Sequence, residues 1–228
     1  MRNLIVGILA LSPILDFGTV KAAPIVSTFA STPPGYDAGG YEINRLTIFP
    51  VLFLDIEWAM AFTIPAGPNY AFTGFIVPLT FSGSATGVDF TLASDAGGSP
   101  GSPLETIAIS LSDGSALYMG TSVLQPTLIA GATYWLEAAI DPANVGNNAT
   151  WNSPVNILNA GLFSGSVADR NPPMFPNWSV TTATQAAFEI DGTAAVAEPH
   201  FASVVALLLF SAFCLHSISL IRASKSTL

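Results

Sequence analysis

The sequence predicts an all-β fold: an antiparallel β-sandwich of jelly-roll-like connectivity, with an N-terminal signal peptide and a C-terminal transmembrane helix. Three observations lead to this prediction. Apolar and polar side chains alternate through the middle of the chain, short segments rich in Gly, Pro and Asp separate the alternating stretches, and an apolar run lies near each end. Alternation indicates strands with one buried face, because successive side chains of a strand point to opposite faces.

The alternation defines five strands, and Tyr134 and Trp135 are expected on opposite faces of one of them. The residues that share a predicted buried face are, in chain order, Phe75, Val77, Leu79 and Phe81; Val88, Phe90 and Leu92; Ile107, Ile109 and Leu111; Tyr134, Leu136, Ala138 and Ile140; and Phe188 and Ile190. Turn-forming residues separate them at 82–84, 96–101, 113–114 and 130–131. Short strands of this kind predict two antiparallel sheets packed face to face.

Three regions carry more particular predictions. Pro78 lies inside the first alternating strand and cannot donate to a ladder, so that strand is expected at a sheet edge or with a bulge. Pro50 interrupts an apolar run and is expected to break a strand there. The segment 169–177, with three prolines, is expected to form an irregular loop.

The N-terminus has the composition of a secretory signal. Arg2 precedes an apolar stretch at 4–15, and small residues at Val20 and Ala22 favour cleavage between Ala22 and Ala23. Residues 1–22 are therefore predicted to be a signal peptide. The alternative is an uncleaved N-terminal anchor helix.

The C-terminus has the composition of a membrane helix. Residues 201–221 carry no charged side chain apart from a titratable histidine, and a helix of that length spans roughly 30 Å. Arg222 and Lys225 follow the run and no acidic residue does, which places the C-terminus in the cytoplasm. The rest of the chain is then expected outside the cytoplasm.

The motif Ala197-Glu198-Pro199, followed by the apolar run and a short basic tail, resembles the bacterial PEP-CTERM sorting signal. Ala197 stands where that family usually has a first proline. The resemblance implies that 197–228 is a sorting signal processed by an exosortase, a membrane-embedded enzyme similar to cysteine transpeptidases. The alternative is an ordinary C-terminal membrane anchor.

Between the two signals lies one predicted domain, residues 23–192, which is long enough to bury a sizeable core. From Ala23 to Pro199 the chain has two arginines against fourteen carboxylates, a net charge of −12. Nucleic-acid binders carry basic surfaces, so nucleic acid is excluded as a partner. The single cysteine, Cys214, lies in the predicted membrane helix, so no disulfide framework is expected.

Three stretches of this domain resemble the extracellular domains known as choice-of-anchor type R. They are 59–65 (AMAFTIP), 90–105 with its Gly-Pro-Gly turn, and 128–136 with the later Trp151 and Trp178. The resemblance implies a sandwich fold and a surface location. It implies no catalytic residues.

Few residues here could carry chemistry. The exported part offers no Ser-His or Cys-His pair and no Cys/His set for zinc, because its only histidine is His200, beside the membrane run. No cofactor and no metal are predicted.

Carboxylate pairs could act on a glycosidic bond, although such residues are usually solvated surface charge. The pairs are Asp55 with Glu57, Asp89 with Asp95, and Glu137 with Asp141. Asp89, Asp95 and Asp113 leave calcium binding open as an alternative.

Trp135, Trp151 and Trp178 form the candidate carbohydrate-binding set, since exposed indole rings can stack on sugar faces. The competing interpretation is that these tryptophans belong to the core.

Together these features predict an exported, non-enzymatic bacterial protein of the cell surface or of the exopolysaccharide matrix of a biofilm, with a structural or adhesive role. The precursor would be anchored in the inner membrane, and its partners would be signal peptidase, an exosortase-like enzyme and a polysaccharide. The alternatives are a carbohydrate-binding module and a glycoside hydrolase.

Overall fold

The computed structural model describes residues 22–29, 35–48, 52–81, 87–143, 147–154 and 164–195. These residues form thirteen strands and no helix. The strands are β1 (Ala23–Ser27), β2 (Tyr36–Ile48), β3 (Leu52–Thr63), β4 (Tyr70–Phe81), β5 (Gly87–Asp95), β6 (Pro100–Ser110), β7 (Gly114–Thr121), β8 (Thr127–Leu128), β9 (Thr133–Ile140), β10 (Asn147–Pro154), β11 (Ser164–Asn171), β12 (Phe175–Thr184) and β13 (Glu189–Ala194).

The predicted all-β class is confirmed, and every strand pairing is antiparallel. No helix in the described ranges is long and apolar enough to cross a membrane. The predicted signal peptide, apart from Ala22, and the predicted helix at 201–221 lie outside these ranges.

The strands form one curled sheet with two layers. The first layer runs β1-β13-β4-β10-β2, with β7 and β8 on the second edge of β4. The second layer runs β12-β11-β3-β9-β5-β6. Strand β3 joins the layers, because its first residues pair with β2 and its later residues pair with β9 and β11.

The core lies between the two layers. The ring centroids of Phe75 on β4 and Phe90 on β5 are 5.0 Å apart, and Phe90 meets Trp151 of β10 edge-on at 5.2 Å. These contacts join side chains of opposite layers, so the arrangement is sandwich-like. The five predicted buried faces all point into this core, with Ile107 only partly buried.

The proline predictions have different outcomes. Pro50 itself lies outside the described residues; on either side of it, Ile48 of β2 and Leu52 of β3 are antiparallel partners, which agrees with the predicted strand break between them. Of the two alternatives for the strand that contains Pro78, the edge position is wrong, because β4 is paired along both edges. The bulge is present, although not at Pro78: the register of β4 with β13 shifts between Phe72 and Gly74. Pro78 is tolerated because it lies between the stretch of β4 registered with β13, which ends at Ile76, and the stretch registered with β10, which begins at Leu79.

The predicted loop at 169–177 is also largely wrong. Residues 169–171 complete β11, residues 175–177 begin β12, and only 172–174 form a turn. The prolines of this segment lie in or next to a hairpin turn and near the start of β12, an edge strand, where a missing N–H costs little. This hairpin places Arg170 on the second layer.

Candidate functional site

A row of polar side chains crosses the outer face of the second layer. On β3, Glu57 lies on the face opposite to that of the buried Met60. On β9, Glu137 lies on the face opposite to that of the buried Leu136. In the strand register Arg170 lies opposite Glu57, and Glu137 lies opposite both Ala59 and Thr91. Glu57 and Glu137 are therefore diagonal neighbours, about 7–8 Å apart at their Cα atoms.

Arg170 holds the two glutamates together. Its Nε donates to Oε2 of Glu57 at 2.5 Å, and its Nη2 lies 3.8 Å from Oε2 of Glu137. The guanidinium carbon also lies 4.2 Å from the centroid of the Trp178 ring. Arg170 is thus fixed by charge on one side and by a cation–π contact on the other.

A second ion pair extends this group along β3. Arg45 Nη1 lies 3.1 Å from Oδ2 of the buried Asp55, its register partner on β3. Arg45 and Arg170 are the two positively charged residues in the described part of the chain, and both are used here. We refer to Arg45, Asp55, Glu57, Glu137 and Arg170 as the arginine–glutamate cluster.

Burial controls the protonation of the acidic members. Burial raises the pKa of Glu137 to about 7, with Arg170 opposing the shift and Glu57 adding to it. Burial also raises the pKa of Glu57 and of Asp55, although Arg170 and Arg45 pull in the other direction. In each case the cost of removing a carboxylate from water exceeds the attraction of the nearby arginine.

The cluster borders a cavity of about 260 Å³. Arg45, Glu57, Glu137 and Arg170 line it together with Asp89 and the hydroxyl-bearing Thr91 and Thr106. The Thr91 and Thr106 hydroxyl oxygens are 2.8 Å apart. The volume is slightly below the roughly 300 Å³ at which drug-sized pockets begin, so the cavity suits one small polar unit. Carboxylates, guanidinium groups and hydroxyls suit it to a ligand rich in hydroxyl groups.

The carboxylate pairs predicted from the sequence are arranged differently in the structure. Asp89 and Asp95 are separated by six residues of a strand, or about 20 Å, and Glu137 and Asp141 by four residues, or about 13 Å. The limit for paired glycosidase carboxylates is roughly 9.5 Å between carboxyl groups, so the pair of Asp89 with Asp95 is too far apart and is wrong. The pair of Glu137 with Asp141 stays a prediction, because its backbone separation is within the added reach of the two side chains. Asp55 and Glu57 do lie near each other, and the structure adds the pair of Glu57 with Glu137.

Asp95 has a local structural role. It accepts hydrogen bonds from Trp135 Nε1 at 2.8 Å and from the backbone N–H groups of Gly97 and Gly98. The bond from Trp135, with those from the glycines, lowers the pKa of Asp95. In the described ranges no three His, Cys, Asp or Glu side chains are grouped as metal ligands would be.

The three predicted sugar-stacking tryptophans differ in exposure. Trp151 is 0% exposed in the main core and donates from Nε1 to the Ala187 carbonyl at 2.8 Å. Trp135 is 1% exposed and packs with Ala59, Ala93 and Ala168 on the outer face. Because a buried ring cannot offer its face to a sugar, the assignment of Trp135 and Trp151 as exposed stacking residues is wrong. Trp178 is only partly buried.

Sequence reasoning missed Arg170 and the pairing of Glu57 with Glu137. Both depend on strand register, and Arg170 lay in a segment assigned to a loop. It also missed Trp58, which packs against Tyr41 at 4.7 Å and donates to the Glu42 carbonyl. The one sequence signal was the scarcity of positive charge, since two arginines among fourteen carboxylates are expected to be paired.

The predicted processing sites lie at or beyond the limits of the described ranges. Ala22 and Ala23 are exposed, and Ala23 begins β1 opposite Gly192. Ala197, Glu198, Pro199, Arg222 and Lys225 lie outside the described residues.

Comparison of the chain with models of protein families, with curated proteins and with solved structures found no match.

Proposed function

We propose that this chain is an exported bacterial protein of the cell surface or of the exopolysaccharide matrix, with a non-enzymatic structural or adhesive role. The observation that carries the proposal is the placement of an all-β unit between an N-terminal export-type sequence and a C-terminal sorting-type sequence. The described strands run from Ala23 to Ala194. Removal of residues 1–22 and of residues beyond Pro199 would therefore leave every described strand intact.

The composition of the domain supports this proposal. The exported part has no cysteine and a net charge of −12, which keeps it soluble and independent of the redox state of its surroundings. The face-to-face layers support a β-sandwich, and we include its jelly-roll-like connectivity in the proposal. An adhesive or structural protein of a matrix needs such a stable module and no reacting group.

Sorting at the C-terminus is the part of the proposal that can be tested directly. The full-length chain is expressed in a Gram-negative host that has an exosortase and in the same host with that gene deleted. We expect the protein in the matrix fraction of the first host and in the inner-membrane fraction of the second. Pro199→Ala should reproduce the effect of the deletion, whereas the neighbouring control His200→Gln should not. An identical distribution in both hosts would contradict the proposal.

Carbohydrate binding at the arginine–glutamate cluster is a second candidate function. The specific observation is the cavity of about 260 Å³ beside Glu57, Glu137 and Arg170, with the partly buried Trp178 ring adjoining Arg170. Carboxylate and guanidinium groups hydrogen-bond sugar hydroxyls in two directions at once. In this candidate site the sugar is bound by polar residues of the cluster, and the buried Trp135 and Trp151 take no part.

A glycan array probed with the full-length chain tests this second candidate. Arg170→Lys keeps the charge but loses the forked geometry of the guanidinium group, and should weaken binding at least about tenfold. Phe175→Ala, which removes an exposed aromatic ring from β12, is the matched control and should leave binding unchanged. Absence of bound glycans, or equal binding by Arg170→Lys, would remove the candidate. A different outcome is that the unmodified chain releases shorter glycans from the array. If Glu137→Gln abolishes that release, the result favours the glycoside hydrolase alternative.

A further inference from the structure

Strand β7 is an edge strand of the first layer. It pairs with β4 along its whole length, from Gly114 opposite Phe81 to Thr121 opposite Gly74, without a register shift. Its other edge has no strand partner in the described part of the chain. Such an edge presents a row of backbone N–H and C=O groups that another strand can pair with.

The usual protections against strand addition are missing from β7. Residues 114–121 contain no charged residue, no proline and no bulge. The edge strand of the second layer, β6, differs in all three respects, since it has Pro103, Glu105 and register shifts along its pairing with β5. The opposite edge, β12, has Pro176 near its start and an irregular register beside its turn.

Exposed apolar side chains continue from β7 into the next loop. Met119 is 69% exposed and Val123 is 86% exposed, and Leu117 and Leu124 are also exposed. Leu117 and Met119 lie on one face of the strand, next to Pro78 and Ile76 of β4. The result is an apolar surface at a sheet edge, of the kind that marks contact with another macromolecule.

Glu105 fixes the loop that completes this surface. Its Oε2 accepts a hydrogen bond from the Ser122 hydroxyl at 2.5 Å, and its Oε1 accepts from the backbone N–H groups of Val123 at 2.7 Å and Leu124 at 3.0 Å. Val123 and Leu124 are therefore held by a buried carboxylate from the other layer. The fold itself therefore holds these two side chains in an exposed position.

Charge identifies the partner that this surface fits. Residues 114–136 contain no charged side chain, whereas the chain from Ala23 to Pro199 has a net charge of −12. Two copies of so acidic a chain repel each other unless they meet where charge is absent. A basic partner would instead be attracted to the carboxylates elsewhere. The β7 edge is thus the surface at which a second copy of this chain can approach.

We propose that β7 pairs antiparallel with β7 of a second copy, about a twofold axis beside Tyr118, and joins two first layers into one continuous sheet. In this register Leu117 of each copy faces Met119 of the other, so the same apolar pair forms twice. The contact is isologous and closes as a dimer. The pairing depends only on the described fold, so it is independent of the proposal on export and sorting.

Disulfide cross-linking of the full-length chain in detergent tests the register. Cys214→Ser removes the native thiol, and Leu117→Cys and Met119→Cys are then made in separate chains. Opposite residues of an antiparallel pair have Cα atoms about 4.5–5.5 Å apart, within the range that a disulfide spans. We expect the mixture of the two variants to form a cross-linked dimer on oxidation, and each variant alone to form much less.

Val180→Cys, at a similarly exposed apolar residue of β12, is the control for random collision. Cross-linking of the mixture no stronger than that of Val180→Cys overturns the proposal. Cross-linking of the single variants as strong as that of the mixture also overturns it, because the twofold register would then be wrong.

A second measurement does not depend on introduced thiols. Met119→Lys places two ammonium groups in the paired strands and should weaken dimerisation, measured by sedimentation equilibrium in density-matched detergent, by roughly tenfold. Val180→Lys adds the same charge outside the interface and should leave dimerisation unchanged. Because the Met119 side chain is mostly exposed, the fold should tolerate the change. Equal dimerisation of Met119→Lys and the unmodified chain overturns the proposal.

Discussion

Glu137 shows how one residue links the burial of the site to its charge. Its pKa in the folded protein is about 7, compared with the ordinary value of 4.5, so the folded state binds its proton more readily than the unfolded chain. The stabilisation from this proton is fully present below about pH 4.5 and is lost as the pH rises through 7. Near neutral pH the group is therefore divided between a proton donor and an acceptor.

Glu137→Gln tests this account. Glutamine is neutral at every pH, so the variant avoids the cost of a buried charge. The free energy of unfolding of Glu137→Gln relative to the unmodified protein should rise between pH 4.5 and pH 8, by about 2 kcal/mol after allowance for solvent screening. Denaturant unfolding followed by tryptophan fluorescence measures the difference. Glu42→Gln, at an exposed carboxyl, is the control, and a difference for Glu137→Gln that does not change with pH would contradict the account.

Trp151 and Trp178 provide a second test at the scale of single residues. Trp151→Phe leaves a cavity in the core and an unpaired carbonyl at Ala187, and should lower the free energy of unfolding by about 2 kcal/mol. Trp178→Phe changes a partly exposed ring and should cost less than about 1 kcal/mol. Denaturant unfolding of both variants gives the comparison. A larger effect at Trp178 would mean that the assignment of Trp151 to the core is wrong.

At the scale of strands, Glu105 joins β6 to the loop that follows β7. Burial opposes the ionisation of this carboxyl, but hydrogen bonds from Ser122, Leu124 and Val123 prevail and lower its pKa. The resulting stabilisation is present above about pH 4.5 and is lost as the pH falls. The loop is thus held most firmly at neutral pH.

Glu105→Ala should lower the free energy of unfolding by about 2–3 kcal/mol, since the Ser122 hydroxyl and two backbone N–H groups lose their acceptor. Glu105→Gln retains one acceptor oxygen and should cost less. Thermal unfolding of the two variants and of the control Asp113→Asn, at an exposed carboxyl, checks this order. Equal Tm values for Glu105→Ala and Asp113→Asn would show that the carboxylate does not hold the loop.

The same scale explains which strands could be predicted from the sequence. Strands β4, β5 and β9 have a buried face of large apolar residues, so alternation located them. Strands β10, β11 and β12 are rich in Asn, Ser, Thr and Ala, and their polarity is typical of loops. They are strands because pairing outweighs local preference: β10 pairs with β2 and β4, β11 pairs with β3, and β12 pairs with β11.

The candidate site could not be predicted from the sequence for a related reason. Glu57, Glu137 and Arg170 are distant in the chain and meet only because β11, β3 and β9 are neighbours in one register. A shift of one residue would turn each of these side chains to the other face. The sequence showed carboxylates on predicted strands, but their neighbours depend on the strand order of the whole sheet.

At the scale of the whole molecule, the two layers separate three tasks. The core between them provides stability, the outer face of the second layer carries Glu57, Glu137 and Arg170, and the β7 edge of the first layer carries an uncharged apolar surface. Dimerisation at β7 would leave Glu57, Glu137 and Arg170 free, because these three residues lie on the other layer. The proposed glycan binding and the proposed self-association would then use separate surfaces.

The central claim, that this is a protein exported and trimmed at both ends, is tested most directly by intact-mass spectrometry. The protein is recovered from the cells and from their secreted matrix. The account predicts a matrix form that begins at Ala23 and ends near Pro199, together with a longer cell-associated precursor. A matrix form that retains residues 1–22, or the basic tail with Arg222 and Lys225, would contradict it.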